Sequence, residues 1–266
     1  MRKLLTYSLG ILLIVLGSCD ELVDYYIGMN QQPDFTREAD TDEFNIFAIL
    51  RPDSLQGYNK SFVFVQRIWP ALQFESFSIL PGAGIVVEQI RDNDSSIFTE
   101  FPLRPPDSLF YDSLYRPIVP FNPQPGEQFR IRCEHPDLNP AVGELVFPSK
   151  PAIVNNEIRI ENPTIRFSLE ADTLIEMYDI YLSYQGSSHL VWRGVQEEGE
   201  DTYVEIVQEV IPPGAKLKIY SYESRLASYV GNSNISLNFN KYREGFTTLE
   251  SGYGVFGALN FVEVEI

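Results

Sequence analysis

The chain is broken at short intervals by 18 prolines and 17 glycines. Proline fixes φ and lacks an amide donor, and glycine admits positive φ, so each cluster ends regular structure. Pro52-Asp53, Pro81-Gly82, Asp92-Asn93-Asp94 and Pro125-Gly126 are such breaks, and the stretches between them are strand-length. Residues 43–50, 61–67 (SFVFVQR) and 84–90 (GIVVEQI) alternate apolar and polar side chains as half-buried strands do. Helical spacing is confined to residues 223–229, where Leu226 and Tyr229 recur at i, i+3. A chain punctuated in this way is restricted to an all-β architecture.

An internal echo sharpens that expectation. Pro125-Gly126-Glu127-Gln128-Phe129-Arg130-Ile131-Arg132-Cys133 is answered by Pro213-Gly214-Ala215-Lys216-Leu217-Lys218-Ile219-Tyr220-Ser221. In each copy a tight turn launches a strand whose Phe/Leu, Ile and Cys/Ser share one face. An immunoglobulin-like or fibronectin-like sandwich enters its penultimate strand in this manner. Two tandem sandwiches are therefore expected, over residues 42–149 and 150–266, divided at Pro148-Ser149-Lys150-Pro151, where two prolines interrupt any ladder.

The amino terminus sets the compartment. Met1, Arg2 and Lys3 precede an apolar run to Leu16, which has the form of a secretory signal and is too short to span a bilayer. The junction Leu16-Gly17-Ser18-Cys19 resembles the bacterial lipobox, in which a branched residue and two small ones precede the acylated cysteine. The resemblance implies that residues 1–18 are removed, that Leu16, Gly17 and Ser18 are read by the signal peptidase, and that Cys19 is lipidated. Each buried methylene contributes about 0.8 kcal/mol, so several acyl chains on one residue give lasting membrane attachment where one chain would not. Residues 19–41, with Gln31-Gln32-Pro33-Asp34, read as a tether. Asp20 and Glu21 resemble the acidic tag that sends Bacteroidota lipoproteins to the outer leaflet of the outer membrane, so the body is expected to face the exterior, the periplasmic face being the alternative.

Composition narrows the chemistry. The formal net charge of −17 and the lack of a basic cluster exclude a nucleic-acid partner, because phosphate binding requires a Lys/Arg surface. Only Cys19 and Cys133 are present, so with the first acylated no intramolecular disulfide remains, and Cys133 reads as a small buried hydrophobe. The two histidines, His135 and His189, lack metal-ligand spacing, and the loop at residues 92–96 lacks the glycine and distal glutamate of an EF-hand. No GxSxG elbow, SxxK pair or phosphate-binding loop occurs, so neither catalytic residues, metal nor cofactor are expected.

Taken with the lipobox, the strands SFVFVQR and GIVVEQI, the PxPGExFxIxC run leading to VFPSKP, and the Gly-rich GFTTLESGYGVFGA stretch at residues 245–258, the chain resembles a family of Bacteroidota outer-membrane lipoproteins of unknown function that accompany TonB-dependent receptors. The resemblance implies a β-sandwich accessory of nutrient uptake, with a TonB-dependent receptor as partner and the membrane contacted through Cys19. Gly252 and Gly254 are expected to give a bulged last strand. Trp69, Trp192, Tyr184 and Tyr253 are the candidate ligand-binding aromatics, since aromatic faces supply area at little entropic cost. A cell-surface glycan or peptide hydrolase, and a structural or adhesive envelope protein, are the alternative functions.

Overall fold

A computed structural model describes residues 43–55, 57–68, 79–91, 96–106, 113–119, 121–161, 163–231 and 247–266. The first sandwich is built from β1 (Phe44–Leu50), β2 (Ser54–Leu55), β3 (Tyr58–Asn59), β4 (Phe62–Arg67), β5 (Gly84–Ile90), β6 (Ser96–Glu100), β7 (Leu103–Arg104), β8 (Leu114–Tyr115), β9 (Gln128–His135) and β10 (Leu138–Val146). The second comprises β11 (Arg159–Glu161), β12 (Thr164–Leu169), β13 (Met177–Tyr184), β14 (Ser187–Val195), β15 (Thr202–Val207), β16 (Lys216–Tyr222) and the far half of β17 (Tyr253–Glu265), and a short helix, α1 (Ser224–Gly231), follows β16.

Each sandwich faces a three-strand core sheet against a four-strand one. In the first, β1-β4-β8 packs on β10-β9-β5-β6; in the second, β11-β12-β15 packs on β14-β13-β16-β17. The two arrangements repeat each other strand for strand, as an immunoglobulin/fibronectin-like tandem requires. The echoed motifs occupy equivalent places. Gly126 (φ 80°) and Gly214 (φ 77°) supply the positive φ of a Pro-Gly turn, and the turns open β9 and β16, each next to last in its sandwich. Phe129, Ile131 and Cys133 point into the first core, and Leu217 and Ile219 into the second. Cys133 is wholly buried, and desolvation pushes its thiol far above the ordinary range.

The last strand does not stay within one sandwich. Tyr253–Ala258 runs parallel to β1, pairing Asn45 with Tyr253 through Leu50 with Ala258. Leu259–Glu265 then runs antiparallel to β16. One 13-residue strand thus joins the two halves into an eight-stranded sheet, β14-β13-β16-β17-β1-β4-β8-β7. The bulge expected at these glycines is absent, since the register from Tyr253 to Ala258 is unbroken; Gly254 serves close approach instead, with φ 105° and a position where a Cβ would lie 1.9 Å from the Ile46 carbonyl oxygen.

Helix α1 covers the outer face of the joined sheet. Leu226, Ala227, Tyr229 and Val230 pack on Phe47, Ile49, Phe64, Val255 and Leu259, while Ile46, Ala48 and Leu50 face the sandwich interior. β1 is consequently buried on both sides. The 148–151 segment is held by the second sandwich, where Asn260 Nδ2 donates to the Pro148 carbonyl at 3.1 Å and Ser221 Oγ donates to that of Ser149 at 2.7 Å.

Candidate functional site

Where the two sandwiches meet, the ends of β5, β9 and β10, the loop from Thr173 to Glu176 and the start of α1 line a half-open cavity of about 400 Å³. Each wall has a local cause. On the first side Gly126 N–H donates to the Phe147 carbonyl at 2.9 Å, which aims the β9 turn at the second sandwich. On the other side the Asp172 carboxylate accepts from Leu174 N–H at 2.8 Å, folding the loop so that Leu174 reaches the Gly126 turn. The Glu176 amide donates to the Tyr222 carbonyl at 3.0 Å, tying this loop to the end of β16.

The third wall is the amino end of α1. Glu223, 4% exposed, caps the helix: its carboxylate accepts from Arg225 N–H at 2.7 Å and Leu226 N–H at 2.6 Å, and its own amide donates to the Ala258 carbonyl at 3.2 Å. Gly257 makes this seat possible, because a Cβ there would lie 2.6 Å from Leu226 Cβ and 3.1 Å from Glu223 Oε1. Burial outweighs the amide hydrogen bonds and the neighbouring Arg225 guanidinium, and raises the Glu223 carboxyl to about 7. Arg225 is itself oriented by donating to the Thr248 carbonyl at 3.1 Å.

The lining is mixed. Ile90, Leu145, Val146, Leu174 and Ile175 supply apolar area, while Gln128, Glu144, Thr173, Glu176, Glu223 and Arg225 supply donors, acceptors and charge. This composition and volume suit a small polar ligand bearing a hydrophobic part, and interfaces between domains are where such cavities concentrate. Among the described residues no group of three or more His, Cys, Asp or Glu is arranged to hold a metal ion. His135 lies elsewhere, accepting from the Asp137 amide at 3.2 Å, and His189 sits on β14.

The aromatic candidates are not brought to this cavity. Trp192 on β14 is half-buried against the second core, with its ring over Gly194. Tyr184, at the far end of the same hairpin, accepts from Gln185 Nε2 at 2.9 Å. Tyr253 begins β17, opposite Asn45, in the first sandwich. Trp69, Leu16, Gly17, Ser18, Cys19 and the loop at 92–95 lie outside the described residues. Glu223 escaped sequence reasoning as a site residue because nothing marks one buried acid among 37 acidic side chains.

No protein-family model and no curated protein matches the chain. Among solved structures it is similar to the chicken interferon gamma receptor alpha chain, at 10% identity and a TM-score of 0.21, covering 66% of this chain and 86% of that one. It is also similar to the FN1-FN3 domains of chicken CNTN1, at 10% identity and a TM-score of 0.24, covering 82% of this chain and 67% of that one. Among the described residues no helix is long and apolar enough to cross a membrane.

Proposed function

We propose that this chain is a non-enzymatic, lipid-anchored module that captures a small ligand between its two sandwiches, at the outer face of an outer membrane and in the service of a TonB-dependent transporter. The observation that carries the reading is the cavity of about 400 Å³ formed jointly by both sandwiches and by the capped end of α1. One wall is the rigid four-stranded sheet of the first sandwich, and the loop and helix walls are pinned by the Glu176–Tyr222 and Glu223 hydrogen bonds, so the site is preorganised and needs little ordering on binding. The lipobox and the acidic residues after Cys19 support the location, and the resemblance to receptor-associated lipoproteins supports the transporter.

The reading is tested by screening the mature chain for thermal stabilisation by sugars, short peptides and small amines, beside a Thr173→Trp variant. Thr173 is exposed at the cavity wall, so the indole fills the space without entering either core. A true ligand at 100 times its Kd stabilises by about 2.7 kcal/mol. The expected result is a ligand that raises the unfolding midpoint of the wild type and leaves Thr173→Trp unmoved. Equal stabilisation of both, or none across the screen, contradicts capture at this place.

A further inference from the structure

The first sandwich carries an apolar patch at its free edge, lined by none of the residues that line the cavity. Among the described residues β6 is the end strand of its four-stranded sheet, so the side of its backbone turned from β5 offers amides and carbonyls to another strand. Beside it Phe98 is 65% exposed, Ile118 61% and Val119 50%. With Val86 and Glu100 they line a groove of about 420 Å³.

Proteins commonly blunt such edges with proline, lysine or a bulge. The free edge of the second sandwich, β14, has such a device: its register with β13 slips between Ile180 and Tyr181, and Arg193 is tied down by Asp179 at 2.6 Å. β6 has none of these devices. Its pairing with β5 is unbroken from Val86–Glu100 to Ile90–Ser96, and SIFTE contains neither proline nor lysine.

We propose that this groove receives an extended polypeptide segment of a partner protein, which adds as a strand to β6, places apolar side chains at alternate positions against Phe98, Ile118 and Val119, and sets a basic residue opposite Glu100. The apolar groove alone would suit any hydrophobic body, but the open backbone edge beside it selects a polypeptide, whose main chain provides affinity while alternate side chains provide specificity. Glu100 and the net charge of −17 select the basic residue, because charge complementarity steers encounter.

The test is calorimetric titration of the full mature chain with a synthetic Lys-Val-Thr-Val-Thr-Val-Lys peptide. Two further peptides serve as comparisons, one with alternate amides N-methylated in either phase and one with glutamate for each lysine. The wild type is expected to bind the basic peptide, Phe98→Asp and Ile118→Asp to weaken it at least about tenfold, and N-methylation in one phase to abolish binding. Glu100→Lys should transfer preference to the acidic peptide. All three side chains are exposed, and an unchanged unfolding midpoint verifies that the variants are folded. Failure of the wild type to bind, undiminished binding by the aspartate variants, or full binding by peptides N-methylated in both phases would overturn the proposal.

Discussion

Replacing Gly254 with alanine is expected to lower the unfolding midpoint by about 10 °C, with a loss of roughly 4 kcal/mol. Two costs combine. The residue holds φ 105°, where an L side chain is strained, and the added Cβ would sit 1.9 Å from the Ile46 carbonyl oxygen and 2.8 Å from its carbon. Those atoms are backbone, so no rotamer change relieves the clash. Relief requires β17 to part from β1, which dismantles the pairing from Tyr253 to Ala258 and with it the junction of the two sandwiches. Gly57 provides the control. It has φ 85° but nothing within 4 Å of a built Cβ, so Gly57→Ala should cost only about 1 kcal/mol, the conformational part alone. Thermal unfolding of both variants separates steric from conformational cost.

Glu223 gives the second large effect, and it is expressed through pH. The carboxyl is raised from an ordinary 4.5 to about 7 in the folded chain. Below 4.5 both folded and unfolded forms hold the proton, and the group costs nothing. Between 4.5 and 7 the unfolded chain releases a proton that the folded chain retains, so stability falls as pH rises. Above 7 the full cost of a buried charge is present, on the order of 3 kcal/mol. Glu223→Gln keeps a carbonyl to accept an amide of α1 but removes the ionisation. Denaturant titrations at pH 5 and pH 8 should therefore show the wild type losing stability relative to Glu223→Gln by about that amount. Parallel curves for the two proteins would mean that the acid titrates as it does in water.

Much of the fold was legible because it is written in local rules. Pro-Gly at 125 and 213 fixes a turn, and the alternation after it fixes which residues enter the core; both follow from φ restriction and strand pleat. The short helix announced itself through Leu226 and Tyr229, which face the sheet in α1. The sharing of β17 was not legible, since alternation tells which face a residue takes and not which strand lies beside it, and the parallel partner is some 200 residues away in sequence. The half-buried alternation expected over residues 43–50 stops at Ile46: residues 46–50, Ile-Phe-Ala-Ile-Leu, are continuously apolar and buried, the mark of a strand covered on both faces, and that run was the one signal present. The cavity was opaque for a different reason. Its lining comes from five separated segments, and its most perturbed group, Glu223, differs from other glutamates only through the Gly257 and Leu226 packed on it. Trp192 illustrates the converse, a large aromatic whose ring serves the second core and the Gly194 backbone in preference to an open surface.

Capture at the cell surface requires that the paired sandwiches be held to a membrane by residue 19. Expression of the full chain and of a Cys19→Ser variant in a Bacteroidota host supplied with an alkynyl fatty acid, followed by envelope fractionation and detection of the label, measures this directly. The wild type should carry the label, run at the size of the chain without residues 1–18, and sediment with outer membranes, while Cys19→Ser should be unlabelled and leave the outer-membrane fraction. Normal processing and undiminished sedimentation of the serine variant would contradict the account.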